Sequence, residues 1–198
     1  PWPRCIAMTN RGLLRRQMRR AWAETIRSAY MDQIISSERA LQVHFTARLM
    51  DIFWEDDVKR RVFVEPVMQL NTGARVHPDL LICNRNSIIG VVELKYQPKV
   101  LPKYEKDFAT FESLAAHGTD IELDNRRYRG PDGGRGRFTL SAYPMFVWAG
   151  VYRGPTREIP SWTPENFGLS QLLVLHAATA ADAEPEIVSA SGRRRAVL

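Results

Sequence analysis

Apolar residues recur every three or four positions in two early stretches of the chain, which is the pattern of helices that bury one face. The first helix is predicted over residues 12–28, where arginines fill the positions between the apolar ones. The second is predicted over residues 36–53, and its apolar stripe, taken from Ile34 onward, includes Glu38. A third is predicted over residues 102–116, with a proline in its first turn. Three helices are therefore expected, two of them before any strand.

Between the second and third helices, β-branched and aromatic residues predominate, which is typical of strands. Three strands are predicted there, over residues 61–70, 77–83 and 88–96. The short polar connections between them favour an antiparallel meander. Pro66 interrupts the first strand and indicates an edge position or a bulge. Two further strands are predicted over residues 143–152 and 171–177, so an α/β (α+β) protein is expected.

Length and composition favour one domain with extensions. A chain of 198 residues, 44% of them hydrophobic, can bury one substantial core. We expect this core over residues 33–178, a basic helical extension over residues 1–32 and a flexible tail over residues 179–198. No apolar run approaches the roughly 18 residues of a membrane span, and the N-terminal residues lack the apolar core of a signal peptide. A cytoplasmic protein without membrane association is therefore expected.

Positive charge is concentrated near the N-terminus. Residues 1–50 contain nine arginines and three acidic residues, and so account for the whole formal net charge of +6. Such a segment can attract a phosphate backbone, although arginines that only keep a helix soluble give the same pattern. A second basic segment, residues 125–137, contains five arginines and four glycines and is either a loop that closes on a polyanion or a plain insertion. The candidate nucleic-acid contacts in the two segments are Arg15, Arg16, Arg19, Arg126, Arg127, Arg129 and Arg135.

Three ionisable residues stand in the two most apolar strands. Asp79 is followed by three large apolar residues, and Glu93 and Lys95 alternate with apolar or aromatic residues and so share one face of their strand. Burying charged groups is costly unless they share a function. Two carboxylates on adjacent strands supply the hard oxygen ligands that Mg²⁺ prefers, and a lysine beside the ion can orient a water molecule or offset transition-state charge. The three residues therefore predict a site that hydrolyses phosphodiesters.

Two acidic residues on the predicted helices allow more than one role. Glu38, on the core-facing stripe, needs a metal ion, a cation or a wet cleft as its partner. It is alternatively an acid in the first turn of its helix, where the macrodipole favours a negative charge. Asp107 stands four residues after Lys103, which is the spacing of a plain surface ion pair on a helix. Only a place close to the site would give these two residues a further role.

At these strands the sequence resembles the PD-(D/E)XK phosphodiesterase superfamily, the restriction-endonuclease-like nucleases. Pro78-Asp79 matches the PD element, and Glu93-Leu94-Lys95 matches (D/E)XK with 13 residues between Asp79 and Glu93. The order of helix, meander, helix and strand is also similar, over roughly residues 33–152. The resemblance implies a restriction-endonuclease-like core of order αβββαβ, in which helices flank a central mixed sheet of about four or five strands.

The resemblance also implies a role for each matching residue. Asp79, Glu93 and the main-chain carbonyl of Leu94 would hold Mg²⁺, for which Mn²⁺ would substitute, and Lys95 would serve the attacking water. Many members place a glutamate on the first core helix to steer a metal-bound water, and Glu38 fills that place. The implied function is a metal-dependent nuclease acting on nucleic acid, DNA rather than RNA, and assembly as a homodimer is left open.

Two other interpretations compete with a nuclease. The first is a catalytically silent nucleic-acid-binding module on the same fold, against which the intact set of Asp79, Glu93 and Lys95 argues. The second is an ordinary α/β protein in which the same three residues form a structural ion network. Alanine at Asp79 or Glu93 separates them, because only a nuclease loses cleavage while it keeps binding.

Overall fold

The computed structural model describes residues 3–117, 121–123, 136–154, 172–180, 183–191 and 194–198. The helices in these ranges are α1 (Pro3–Thr25), which continues into a π-helical turn (Ile26–Tyr30), α2 (Glu38–Glu55) and α3 (Glu105–His117). All three predicted helices are confirmed. Pro102 lies three residues before α3 rather than in its first turn. None of the helices in the described ranges is both long and apolar enough to cross a membrane.

The described strands belong to one mixed sheet. They are β1 (Arg61–Val64), β2 (Met68–Leu70), β3 (Arg75–Val76), β4 (Leu80–Asn84), β5 (Ser87–Gln97), β6 (Ile121–Leu123), β7 (Gly136–Arg153), β8 (Leu172–Thr179), β9 (Glu186–Ser191) and β10 (Arg194–Val197). The strands β1, β4 and β5 form the predicted antiparallel meander, and β7 and β8 continue it in parallel. The mixed α/β sheet flanked by helices is thus confirmed, but it has ten described strands rather than about four or five.

The strand predicted over residues 61–70 is divided in two. Glu65 adopts a φ of 46°, which is rare for a residue with a side chain, and Pro66 has no N–H to offer a ladder. The chain therefore leaves the β1–β4 ladder at this point. Beyond it, β2 pairs with β3 and β6 instead. The predicted edge position is confirmed, because β1 is the terminal strand of the described sheet beside β4. The proline separates two ladders rather than bending one strand.

Two apolar clusters cover opposite faces of the sheet. One contains the buried side chains of α1 and α2 together with Val92 and Leu94 of β5. The other contains those of α3 together with Val91 of β5 and Trp148 of β7. Successive residues of a strand point to opposite faces, so Glu93 and Lys95 point to the side that α3 covers. The described part of the basic N-terminal segment, predicted to be an extension, packs in the core as α1.

Strands occupy the segment over residues 179–198, for which a flexible tail was predicted. The strand β9 pairs with β8, and β10 pairs with β9. Ile187 and Val188 are buried, and they form the short apolar run that joins this segment to the sheet. Small, polar and charged residues surround the run, so its β-pattern is brief and a pattern of hydrophobicity alone does not reveal it.

Candidate active site

The hairpin of β4 and β5 brings two carboxylates together. Leu80 pairs with Val92, so Asp79, just before β4, lies beside Glu93 and Leu94. The Oδ2 atom of Asp79 accepts a hydrogen bond of 2.6 Å from the main-chain N–H of Leu94. Glu93 is only 6% exposed. Two neighbouring strands thus place the half-buried Asp79 beside the buried Glu93.

Burial and the neighbouring acids favour the protonated form of Glu93. Burial raises the pKa of Glu93 to about 9, and repulsion from Asp79 and Asp107 adds to the effect. Burial also raises the pKa of Asp79, against the opposing influence of the Leu94 N–H and of Lys95. At neutral pH Glu93 therefore keeps its proton in the metal-free protein, because a charge on this buried group beside Asp79 is unfavourable without a cation.

The donor set fits a divalent cation with hard oxygen ligands. The register that pairs Leu80 with Val92 would bring Pro78 opposite Leu94. The carbonyl of Leu94 points to the same side of β5 as its N–H, that is, toward Pro78. Because proline has no N–H, it cannot donate a hydrogen bond to this carbonyl. Two carboxylates and this carbonyl suit Mg²⁺, which keeps several of its waters. Within the described ranges no group of three or more His, Cys, Asp or Glu side chains could hold a metal ion. An ion at Asp79 and Glu93 would therefore depend on main-chain and water ligands as well.

Lys95 lies on the same face as Glu93, and α3 supplies its partner. The Nζ atom of Lys95 is 3.0 Å from Oδ1 of Asp107, and Oδ2 of Asp107 accepts a hydrogen bond of 3.1 Å from Nε1 of Trp148. Burial lowers the pKa of Lys95, but the charges of Asp107, Glu38 and Asp79 outweigh it and the net pKa is raised. The predicted partner of Asp107, Lys103, is exposed, whereas Asp107 is buried. The prediction of a surface ion pair with Lys103 was therefore wrong.

Glu38 reaches the site from outside the core. It is the exposed first residue of α2, and Ile34, with which the predicted stripe began, precedes the N-cap residue Ser37. The helical spacing does not extend to Ile34, so the prediction that Glu38 faces the core was wrong. Its Oε2 atom nevertheless accepts a hydrogen bond of 3.3 Å from the N–H of Tyr96, one residue beyond Lys95. Glu38 lies close enough to raise the pKa of both Asp79 and Lys95.

The candidate arginines divide into two groups. Arg15, Arg16 and Arg19 lie on α1, which packs on the sheet face opposite to the one that carries Glu93 and Lys95. Burial lowers the pKa of Arg15 and of Arg19, and repulsion from Arg19 lowers that of Arg15 further. The other four, Arg126, Arg127, Arg129 and Arg135, lie outside the described residues.

Sequence reasoning missed the roles of Asp107 and Trp148. Asp107 lies one residue before Phe108 and four before Phe111, which are both buried, so the helical spacing could have indicated that Asp107 lies beside the apolar face of α3. The spacing could not have identified the partners of Asp107, since they stand on β5 and β7. Comparison of the chain with protein-family models, with curated proteins and with solved structures gives no match.

The metal-free protein is expected to lose stability as the pH rises from about 5 to about 9. In the unfolded chain Glu93 ionises near its ordinary pKa of 4.5, whereas in the folded protein its pKa is about 9. The folded state binds more protons throughout this window, so the free energy of unfolding falls by up to about 1.4 kcal/mol per pH unit. Urea titrations in EDTA across the range measure this slope. If the free energy of unfolding of Glu93→Gln falls as steeply with pH as that of the wild type, the pH dependence comes from groups other than Glu93.

Proposed function

We propose that the chain is a metal-dependent nuclease of the PD-(D/E)XK type, which hydrolyses phosphodiester bonds in nucleic acid, with DNA as the preferred substrate. The observation that carries the proposal is the register of the β4–β5 hairpin, which places the carboxylate of Asp79 beside the buried Glu93, with Lys95 on the same face as Glu93. A divalent cation is the natural replacement for the proton that Glu93 retains.

The pattern of ion pairs supports a cation site over a structural ion network. Among the described residues, Lys95 is paired with Asp107, and no ion pair joins a cation to Asp79 or Glu93. A network that only stabilised the fold would neutralise Glu93 with a cationic side chain, because an unneutralised charge is costly at a buried position. A bound Mg²⁺ would supply the missing positive charge.

Under this proposal each group of the site has a separate task. Asp79, Glu93 and the carbonyl of Leu94 would hold Mg²⁺, and the bound ion would supply Lewis-acid stabilisation of the scissile phosphate. The ammonium of Lys95 would offset negative charge that develops on the phosphate. Glu38, exposed at the start of α2 and hydrogen-bonded near the end of β5, would accept a proton from the attacking water. The arginines of α1 would attract the polyanion at long range without touching the reacting phosphate.

The proposal is tested by incubating the purified protein with linear duplex, circular duplex and single-stranded DNA and with RNA, in Mg²⁺, Mn²⁺ or EDTA. We expect cleavage of DNA in either metal and none in EDTA. Lys95→Ala is expected to lower the rate by about 100- to 10,000-fold, because it removes a charge that acts on the transition state. Lys106→Ala, an exposed lysine of α3, is the matched control and should retain the full rate.

Two outcomes would contradict a nuclease. If none of the substrates is cleaved in either metal, the proposed nuclease activity is wrong. Binding without cleavage would instead indicate the silent nucleic-acid-binding module. Cleavage that persists at full rate in EDTA would contradict the metal requirement. Gel separation of labelled substrates distinguishes all of these results in one experiment.

A further inference from the structure

A carboxylate on α3 restrains the ammonium of Lys95. The distance from Nζ of Lys95 to Oδ1 of Asp107 is 3.0 Å, and the side chain of Lys95 is 18% exposed. The second oxygen of Asp107 accepts the N–H of Trp148 at 3.1 Å. Asp107 is 3% exposed and stands in the first turn of α3. Since both of its oxygens bind groups of the sheet in a dry setting, its position is fixed, and it fixes that of Lys95.

Trp148 can reach Asp107 because the residue two positions further along β7 is a glycine. The parallel register pairs Glu93 with Trp148 and Lys95 with Gly150, so the indole stands beside both site residues. A Cβ atom at Gly150 would overlap with Cη2 of the indole and would lie 2.8 Å from Cζ3. The indole therefore occupies the space above Gly150. Any side chain at this position would displace the ring and with it the hydrogen bond to Asp107.

The restraint has a consequence for the cation site. Lys95 is two residues from Glu93 on the same face, and its long, flexible side chain carries a charge opposite to that of Asp79 and Glu93. An unrestrained ammonium would pair with these carboxylates and occupy the place of the metal ion. The pairing of Lys95 with Asp107 keeps it near the site but outside it.

We propose that Asp107 is a positioning residue, which Trp148 and Gly150 keep in place, and that it prevents Lys95 from competing with the divalent cation for Asp79 and Glu93. This rests on the proposed nuclease function, since it concerns the lysine of that site. Asp107 itself touches neither the phosphate nor the metal. Its removal should therefore weaken metal binding through Lys95, and the double variant Asp107→Asn/Lys95→Ala should bind metal as well as the single variant Lys95→Ala does.

The test is a titration with Mn²⁺, followed by calorimetry, alongside the cleavage rate on linear duplex DNA. Asp107→Asn is expected to weaken Mn²⁺ binding by about tenfold and to lower kcat by about 100-fold with little change in KM for DNA. Trp148→Phe keeps an aromatic ring but removes the indole N–H. It should lower Mn²⁺ affinity and kcat in the same direction by a smaller factor. Glu105→Gln removes a charge from the same turn of α3 without touching Lys95, and should change neither.

The Mn²⁺ titration separates failure of this proposal from failure of the nuclease function. If the wild type binds Mn²⁺ but cleaves nothing, the function fails, and the binding data on the variants still decide the role of Asp107. If Asp107→Asn and Trp148→Phe bind Mn²⁺ and cleave DNA as the wild type does, Asp107 is not a positioning residue. Weak Mn²⁺ binding that Lys95→Ala does not restore in the double variant would also overturn the proposal, because competition by Lys95 would then not be the cause.

Discussion

Replacing Glu93 with glutamine is expected to abolish Mg²⁺-dependent cleavage and, at the same time, to stabilise the metal-free protein. Glutamine keeps the size of the protonated acid and its capacity for hydrogen bonds, but it cannot supply a charged ligand. It also removes the burial penalty and the repulsion from Asp79 that raise the pKa of Glu93 to about 9. At pH 8 in EDTA, the free energy of unfolding should rise by about 2–4 kcal/mol. Urea unfolding and the DNA cleavage assay measure the two effects.

Two comparisons complete the Glu93→Gln experiment. Glu112→Gln removes a carboxylate from the exposed surface of α3 and is expected to leave both quantities unchanged. Mg²⁺ should stabilise the wild type and not Glu93→Gln, because a ligand that binds only the folded state raises its stability. A variant that loses stability and keeps cleavage would contradict a metal site and favour a structural ion network.

Replacing Trp22 with alanine is expected to lower the free energy of unfolding by about 3–5 kcal/mol. Trp22 is fully buried, its ring meets that of Phe45 edge to face at 6.0 Å, and its Nε1 donates to the carbonyl of His176 at 3.0 Å. The change therefore leaves a large cavity and removes this hydrogen bond. Urea unfolding followed by far-ultraviolet circular dichroism measures the loss.

Trp54 supplies the matched control for this prediction. It stands on α2 and is 88% exposed, so Trp54→Ala should change the free energy of unfolding by no more than about 0.5 kcal/mol. Equal effects of the two variants would mean that α1 is not part of the cooperative core. The same pair of variants thus decides whether the basic N-terminal segment is an appendage or a structural element.

The sequence predicted the elements of this fold better than it predicted the surroundings of the site. Periodicity located the three helices, and alternation placed Glu93 and Lys95 on one face, because both signals are local properties of the chain. The pairing of Lys95 with Asp107 joins a strand to a helix that only the folded sheet brings together, and no spacing in the sequence specifies it. Local spacing instead suggested Lys103 as the partner of Asp107 and a core-facing position for Glu38.

The break after β1 and the strand β9 show a second limit of prediction from sequence, which is that strand pairing depends on the assembled sheet. The proline at position 66 signalled an interruption, but the positive φ of Glu65 and the departure of β2 to another ladder depend on how the sheet is assembled. The run of Ile187 and Val188 is too short to predict a strand by itself, and it forms one because β8 offers an edge. Tertiary context decides both cases.

The hydrogen bond from Trp22 to the carbonyl of His176 joins positions 154 residues apart. This separation determines which contacts of α1 can form first while the chain is being synthesised. Because α1 precedes β8 by this distance, the ribosome releases α1 and α2 well before the strand that carries His176. Until then α1 packs mainly on α2, through contacts such as that of Trp22 with Phe45, and the arginines on its outer side keep it hydrated. The β4–β5 hairpin, in contrast, closes over a short stretch of chain. A nascent chain therefore carries both acidic residues early, but the candidate site is complete only when Trp148 of β7 has joined β5.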